Sequence, residues 1–164
     1  MRAADKVFTR ELLAVRLPDI RASRGALVFT NGVFDLLHVG HVRYLEYARE
    51  LGGMLVVGVN SDASVRLLAK GPERPIVPQA DRAEIVAALA CVDFVCIFDE
   101  RRPDETIRAL RPDVHVKSAQ YRADELSEAG AVSEVGGRIV IAPHVVGRST
   151  TQIVERLRSQ SGSR

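Results

Sequence analysis

Short apolar runs alternate with longer amphipathic segments along most of the chain. The apolar runs are rich in Val, Ile and Phe, which is typical of buried strands. They predict strands at residues 26–30, 54–59, 93–98, 113–117 and 138–142. The segments between and after them predict helices at residues 40–51, 61–69, 79–91, 103–110, 123–135 and 149–158.

The strict alternation of strands and helices predicts an α/β fold, in which a doubly wound parallel sheet of about five strands carries helices on both faces. Sheets of this kind bind ligands at the carboxyl ends of their strands, close to the point where the strand order reverses. We therefore expect a functional site in the loops at residues 31–40, 60–62, 118–123 and 143–149.

The length of 164 residues is that of a single domain. Residues 25–158 contain all the predicted strands and the helices that connect them. Residues 1–24 are interpreted as an N-terminal extension with a short helix around residues 9–16, which Pro18 interrupts. The polar residues 159–164 predict a disordered tail.

Charge and hydropathy narrow the range of partners. The net charge of +2 argues against a broad nucleic-acid interface, which requires clustered basic residues. No apolar run approaches the length of a membrane span, and the charged N-terminus lacks the apolar region of a signal peptide. The sequence therefore predicts a cytoplasmic protein that binds neither nucleic acid nor membrane.

One loop carries a concentration of candidate chemistry. The stretch TNGVFDLLHVGH occupies residues 30–41 and joins the first predicted strand to the next helix. Gly40 opens that helix, whose N-terminus offers N–H groups and a positive dipole end to an anion. His38 and His41 flank Gly40, so both imidazoles can point at the same anion. The spacing favours a phosphate site.

Other interpretations of this loop stay open. The histidines could only cap the helix. They could also bind zinc, which would need a third ligand such as His115, His144 or a carboxylate. The chain contains neither the glycine-rich motif of dinucleotide-dependent oxidoreductases nor the P-loop of kinases, so both of these classes are unsupported.

Residues 30–41 resemble the signature G-x-F-D-x-x-H-x-G-H of the cytidylyltransferase-like nucleotidyltransferases. Three later stretches resemble further blocks of that family in the same order: VNSDASVR at 59–66, KGPERPIVPQADR at 70–82 and GRSTTQIV at 147–154. Within the family, the chain is most similar to the bacterial adenylyltransferases of heptose 1-phosphate. In these enzymes the domain is often fused to a sugar kinase, and this chain resembles the stand-alone form.

The resemblance implies a Rossmann-like fold and a direct group transfer. The phosphate oxygen of a sugar 1-phosphate would attack the α-phosphorus of ATP, and pyrophosphate would leave without a covalent enzyme intermediate. Mg²⁺ would act through the phosphate oxygens of the substrate, with no metal ligands from the protein. The product would be an ADP-sugar, as in the synthesis of ADP-heptose for lipopolysaccharide, and a homodimer is expected from family habit.

The resemblance also implies roles for individual residues, whose ammonium, guanidinium, hydroxyl and amide groups suit phosphate. The catalytic residues would be His38, His41 and Lys70. Those that bind the nucleotide would be Thr30, Asn31, Gly32, Phe34, Gly40, Lys117, Arg148, Ser149, Thr150 and Thr151. Those that bind the acceptor substrate would be Asp35, Asn60, Asp62, Arg74, Arg82 and Gln120.

The chain departs from the family pattern at residues 116–121. Heptose enzymes usually carry V-K-G-G-D-Y there, whereas this chain has VKSAQY. Ser118, Ala119 and Gln120 add side chains where glycines would allow a ligand to approach the backbone, and they remove a negative charge. We therefore expect a changed preference for the acceptor or for the nucleotide base.

Two other functions stay open. The first is a cytidylyltransferase that uses CTP and glycerol 3-phosphate or another alcohol phosphate. Glycerol 3-phosphate enzymes carry R-T-E-G-I-S-T-T before the last helix, whereas His144 stands in the place of that Arg here, which argues against this function. The second is a nucleotide-binding protein with weak or no catalysis.

Overall fold

The structure of the protein, a computed structural model, describes residues 2–68, 74–119 and 126–143. Within these residues six strands form one sheet: β1 (Val7–Phe8), β2 (Leu27–Gly32), β3 (Met54–Asn60), β4 (Phe94–Phe98), β5 (Val114–Ser118) and β6 (Arg138–Ala142). A 3₁₀ turn (Ala3–Lys6) precedes the helices α1 (Arg10–Arg24), α2 (Val39–Glu50), α3 (Asp62–Leu67), α4 (Gln79–Ala87), α5 (Asp104–Leu110) and α6 (Ala129–Glu134). All five predicted strands are present, with small shifts at their ends.

The sheet is parallel throughout, with the strand order β1-β4-β3-β2-β5-β6. The chain passes from β2 through β3 to β4, and then crosses to β5 on the other side of β2. The strand order therefore reverses between β2 and β5, and the crevice at their carboxyl ends is the switch point at which such sheets bind ligands. The predicted doubly wound α/β fold is confirmed.

Helices cover both faces of the sheet over two separate apolar cores. On one face, Val28 of β2 belongs to a cluster with Leu45 of α2 and Val86 of α4. On the other face, the next residue, Phe29, belongs to a cluster with Leu13 of α1. Because successive residues of a strand point to opposite faces, a strand covered on both sides is an unbroken apolar run.

The N-terminal segment differs from its prediction, because α1 continues through Pro18 instead of ending before it. Its apolar face also continues, since Leu13 and Leu17 are buried one turn apart. Beyond the proline, the Arg21 guanidinium donates to both carboxylate oxygens of Asp113 at 2.7 and 2.8 Å. This packing offsets the backbone hydrogen bond that proline cannot donate.

The sixth strand also comes from residues 1–24, which the sequence set apart as an extension. Val7 and Phe8 of β1 pair in parallel with Val95 and Cys96 of β4, and so form one edge of the sheet. A strand of two residues is too short to produce a periodic signal in the sequence.

Gly52 and Gly53 follow the end of α2, where two backbone segments approach each other closely. A Cβ on Gly53 would overlap the carbonyl oxygen of Arg24. A Cβ on Gly52 would lie 2.7 Å from the carbonyl oxygen of Ala26. Only glycine leaves room for the chain to turn back beside the start of β2.

Two predicted C-terminal elements, the helix at 149–158 and the tail at 159–164, lie outside the described residues. The helix predicted at 123–135 corresponds to α6, although its first residues also lie outside them. None of the helices in the described part of the chain is both long and apolar enough to cross a membrane.

Replacement of Leu13 by Ala is expected to destabilise the protein by about 2–5 kcal/mol, because its side chain is fully buried and its loss leaves a cavity. Leu12→Ala is the matched control, since Leu12 is 41% exposed on the same helix. This variant should lose much less of its free energy of unfolding. Urea denaturation measures the free energy of unfolding of both variants. Equal losses would show that α1 is not part of the core.

Candidate active site

The loop after β2 lies at the switch point of the sheet. Asn31 and Gly32 form the carboxyl end of β2, and Lys117 lies near the carboxyl end of the neighbouring strand β5. From there the chain passes through Phe34 and Asp35 to the N-terminus of α2. The structure thus brings the predicted signature residues to the crevice where the fold favours ligand binding.

His38 caps α2, and this fixes the position of its proton. Its Nδ1 accepts a hydrogen bond from the backbone N–H of Gly40 at 3.1 Å. Because Nδ1 is the acceptor, the proton of the neutral ring resides on Nε2. His38 is therefore the N-cap of α2.

The ring of His41 lies directly against that of His38. The two rings stack with their centroids 3.9 Å apart and an angle of 26° between their planes. On its other side, His41 meets the ring of Phe34 edge-on at 5.3 Å. Phe34 has a positive φ of 49°, an uncommon conformation for a bulky residue, and its ring is buried. The loop is therefore built so that three rings meet.

Burial, and to a smaller extent the neighbouring His38, lowers the pKa of His41 to about 4. At neutral pH this ring is therefore uncharged before a ligand binds. Its Nδ1 is buried and has no hydrogen-bond partner among the described residues. A proton on Nε2 avoids leaving an unsatisfied N–H in the interior, so both rings of the pair are suited to donate from Nε2.

The backbone N–H groups at the start of α2 are already engaged. His41 and Val42 donate to the carbonyl oxygen of His38 at 2.9 and 3.4 Å, and Gly40 donates to the His38 ring. The predicted cradle of backbone amides is therefore partly occupied by the protein itself. The paired imidazoles are the groups at this helix terminus that are best suited to meet an anion.

Asp35 anchors the segment at residues 74–77. Its carboxylate is almost completely buried and accepts from the guanidinium of Arg74 at 2.7 Å. It also accepts from the backbone N–H groups of Ile76 and Val77 at 2.8 and 2.9 Å. Because these bonds occupy both carboxylate oxygens, the structure favours an anchoring role for Asp35 over the predicted contact with the acceptor.

Arg82 connects three parts of the site from inside the protein. Its side chain has no exposed surface. It donates to the carbonyl oxygens of Val33 and Val77 at 2.6 and 2.9 Å, and to the carboxylate of Asp62 at 2.7 Å. A side chain in this position cannot touch a bound molecule directly. The predicted contact of Arg82 with the acceptor is therefore wrong, and Arg82 instead holds other parts of the site in place.

Thr30 is also fully buried and bonds to the protein. Its hydroxyl lies 2.6 Å from the hydroxyl of Tyr44, and both hydroxyls lie within 3.0 Å of the carbonyl oxygen of Val116. This contact ties β2 to α2 and β5 beside the switch point. The side chain of Thr30 therefore positions the strands, and only its backbone could serve the predicted nucleotide contact.

Asn60 lies at the carboxyl end of β3, which pairs with β2 on the side opposite to β5. Its side-chain N–H donates to the hydroxyl of Ser64 at 2.8 Å, which in turn donates to the carbonyl oxygen of Glu100 at 2.6 Å. Ser61 caps α3 by accepting from the backbone N–H of Ser64. The buried side chain of Asn60 thus holds the loops after β3 and β4 together.

Lys117 lies in a buried charged cluster at the end of β5. Its ammonium donates to Glu128 at 2.8 Å and to the side-chain oxygen of Asn31 at 3.3 Å. Nε2 of His115 lies 3.5 Å from the same oxygen of Glu128. Burial alone would raise the pKa of Glu128, but the contacts with His115 and Lys117 hold that pKa below its usual range. Burial lowers the pKa of His115, so its ring stays neutral.

Sequence reasoning gave no role to Glu128 or Tyr44, and it considered His115 only as a zinc ligand. A signal for Glu128 was nevertheless present. His115 and Lys117 are two residues apart on one strand and therefore face the same side of the sheet. A buried lysine on a strand requires a nearby carboxylate, and Glu128 supplies it at the N-terminal end of α6.

Six predicted site residues lie outside the described part of the chain: Lys70, Gln120, Arg148, Ser149, Thr150 and Thr151. Their roles stay predictions. Among the residues that are described, no group of three His, Cys, Asp or Glu side chains is arranged to hold a metal ion. His115, considered as a third zinc ligand, is fully buried beside Glu128.

The sequence profile of the cytidylyltransferase-like family matches residues 29–156, which is most of the chain. The chain belongs to the cytidylyltransferase-like family. It is therefore a nucleotidyltransferase, and the resemblance found in the sequence is confirmed. The histidine pair and its anchored loop lie within the matched region.

Curated relatives support this assignment. The bifunctional protein HldE of Geotalea uraniireducens is 55% identical over 156 residues, and that of Syntrophotalea carbinolica is 50% identical over 152 residues. The matches cover 95% and 93% of this chain but only 32% and 31% of the two relatives. The chain thus spans about a third of the length of these proteins.

Solved structures share the fold of this nucleotidyltransferase. The lipopolysaccharide core biosynthesis protein of Thermoplasma volcanium has a TM-score of 0.61 and 28% identity, and the match covers 73% of this chain and 96% of that one. Pantothenate synthetase of Thermus thermophilus has a TM-score of 0.56 and 16% identity, and the match covers 88% and 62% of the two chains. The second likeness concerns the fold alone.

In the ligand-free protein, the His41 ring is expected to titrate near pH 4 because burial disfavours the imidazolium. An NMR titration of the ring Cε1–H, assigned with a His41→Gln variant, measures this pKa. Since an unperturbed imidazole titrates at 6.5, the unfolded chain binds more protons between the two values, and His41 makes stability fall as the pH drops through that window. A midpoint near 6.5 would contradict the buried, neutral ring.

Proposed function

We propose that this nucleotidyltransferase transfers AMP from ATP to a sugar 1-phosphate, with heptose 1-phosphate as the acceptor. The products are an ADP-sugar and pyrophosphate. The observation that carries the proposal is the stacked pair of His38 and His41 at the switch point of a family-matched domain. The similarity to proteins named HldE and to a lipopolysaccharide core biosynthesis protein supports the heptose acceptor and a role in lipopolysaccharide synthesis.

The histidine pair holds the triphosphate and stabilises the transition state. An oxygen of the acceptor phosphate attacks the α-phosphorus, the bond to the bridging oxygen breaks, and pyrophosphate leaves with the bonding electrons. Negative charge grows on the phosphoryl and leaving-group oxygens during this step. Donors that are fixed before the reaction stabilise that charge without reorganisation. The His38 cap and the Phe34 contact provide such fixation for the two rings.

The binding of a polyanion favours the charged form of a nearby imidazole. The pKa of His41 therefore rises from about 4 when the triphosphate binds, and the ring becomes a stronger donor. A neutral ring in the empty site reduces its affinity for other small anions. The pair acts as an electrostatic clamp, and no covalent enzyme intermediate forms.

Lys70 is proposed to bring its flexible ammonium over the phosphates. Lys70 precedes Arg74 by four residues in the sequence, and Arg74 is fixed by Asp35. Arg148, Ser149, Thr150 and Thr151 are proposed to bind phosphate from the start of the predicted last helix, and Gln120 to contact the acceptor.

Nucleotidyltransferases of this kind generally use a divalent metal, and we propose Mg²⁺. The carboxylates nearest the histidine loop are poor candidates for direct metal ligands, because Asp35 is occupied by Arg74 and backbone N–H groups, and Asp62 faces Arg82. Such a donor set fits an ion held mainly by substrate phosphate oxygens. When bound, Mg²⁺ would neutralise charge on the departing pyrophosphate. A homodimer remains a further prediction.

Pyrophosphate release tests the proposed function directly. ATP and CTP are crossed with heptose 1-phosphate, other sugar 1-phosphates and glycerol 3-phosphate in the presence of Mg²⁺. The expected result is turnover with ATP and heptose 1-phosphate, and a loss of about a hundredfold or more in His41→Ala. Arg43→Ala is the control, because Arg43 is exposed on the same helix and should keep activity.

Other outcomes separate the alternatives. Turnover only with CTP and glycerol 3-phosphate would favour the cytidylyltransferase. Turnover with a different sugar phosphate would keep the mechanism and support a pocket reshaped by Ser118, Ala119 and Gln120. Nucleotide binding without turnover on any acceptor would contradict the proposal and favour a binding protein.

A further inference from the structure

A buried ion pair lies beside the switch point, and no role was predicted for its carboxylate partner, Glu128. Lys117 is 9% exposed and Glu128 is 4% exposed. The ammonium and the carboxylate are 2.8 Å apart. The pair joins the carboxyl end of β5 to the start of α6, two elements that lie next to the crevice between β2 and β5.

Stability alone does not explain why these charges are buried. Removing a lysine and a glutamate from water is costly, and apolar residues of similar volume often stabilise such a position equally well or better. Several other buried positions of both elements are apolar, namely Val114 and Val116 on β5 and Ala131 and Val132 on α6. A charged pair at this place therefore points to a use for the ammonium.

The carboxylate of Glu128 is held from several directions. Ser127 donates its hydroxyl to one oxygen at 3.0 Å. Nε2 of His115 lies 3.5 Å from the other oxygen, which also accepts from Lys117. His115 is in turn fixed by stacking on the ring of Phe29, with centroids 5.5 Å apart. The carboxylate is thus a rigid acceptor that can determine where the ammonium rests.

The ammonium of Lys117 reaches the signature loop from this fixed point. It donates to the side-chain oxygen of Asn31 at 3.3 Å. Asn31 and Gly32 are the last two residues of β2. The loop that leads to the two histidines begins directly after them. The cluster therefore links the end of β5 to the loop that carries the proposed phosphate-binding rings.

We propose that Glu128 is a positioning residue for the nucleotide, which holds the Lys117 ammonium against Asn31 so that its charge faces a bound nucleoside triphosphate. This inference rests on the proposed nucleotidyl transfer. Glu128 itself does not touch the nucleotide. Its carboxylate neutralises the ammonium in the empty site and prevents the long lysine side chain from moving among rotamers, which lowers the entropy lost when the triphosphate binds.

The test compares Glu128→Gln with the wild-type protein by calorimetric titration of ATP and by pyrophosphate release. Glu128→Gln keeps the size of the side chain and removes the charge. ATP is expected to bind about ten- to a hundredfold more weakly, with a higher KM for ATP and an unchanged KM for the acceptor. Glu134→Gln is the matched control, because Glu134 lies exposed at the other end of α6 and pairs only with Arg108 among the described residues.

Two further variants separate positioning from a purely structural role. Glu128→Asp retains the charge and should restore part of the ATP affinity. In a Lys117→Met background, Glu128→Gln should cause no additional loss of ATP affinity, because the two residues act through one another. If Glu128→Gln does not fold, the double variant Lys117→Met, Glu128→Leu removes both buried charges, and it should fold while still binding ATP weakly.

The outcomes distinguish this inference from the proposed function. Wild-type affinity for ATP in folded Glu128→Gln, or in the double variant, would overturn the inference and leave the proposed function intact. A wild-type protein that binds ATP but releases no pyrophosphate with any acceptor would overturn the proposed function alone, provided that Glu128→Gln still weakens binding. A wild-type protein that does not bind ATP would overturn both.

Discussion

The geometry of the site depends on one buried guanidinium. Arg82 joins the loop after β2, the segment before α4 and the first turn of α3 through Val33, Val77 and Asp62. These three parts are distant in sequence, and a planar guanidinium can span them because its donors point in several directions. Without it, two carbonyl groups and a carboxylate would lose their partner in or near the interior, which is costly for the fold. The histidine loop is therefore held in place by a buried side chain before any ligand binds.

Buried charge is concentrated at the loops of the site, whereas both cores of the sheet are mainly apolar. Asp35 binds the segment at residues 74–77, and Glu128 binds Lys117 beside the switch point. Each pair is expensive to bury, and each fixes a loop that follows β2 or β5. Phe34 adds an uncommon backbone conformation in the same loop. The loops of such a site lose most of their conformational entropy during folding. Less entropy is therefore lost when the substrate binds.

The architecture could be predicted well from the sequence, because each strand and helix leaves its own pattern of apolar residues within a short stretch of the chain. It missed β1, which is only two residues long, and it ended α1 too early because the packing of Leu13 and Leu17 outweighs Pro18. From the motif we predicted that His38 and His41 would point at the same anion, and in the structure the two rings stack on each other. It could not predict the burial of Arg82, since arginine is usually exposed and its acceptors come from three separate segments. Side chains that a motif suggests as ligand contacts, such as Arg82, can thus instead hold the site in place.

The most direct test is the turnover of Arg82→Lys, measured as pyrophosphate release with the proposed substrates, ATP and heptose 1-phosphate. Lysine keeps the positive charge, but its three N–H donors share one nitrogen and cannot replace the three separate nitrogens with which Arg82 reaches Val33, Val77 and Asp62. The account predicts a folded protein whose kcat falls about a hundredfold, as expected when catalytic groups shift slightly from their positions. Arg66→Lys, an exposed substitution of the same kind on α3, should leave kcat unchanged. Wild-type kcat in folded Arg82→Lys would contradict the claim that this buried guanidinium holds the site in its working geometry.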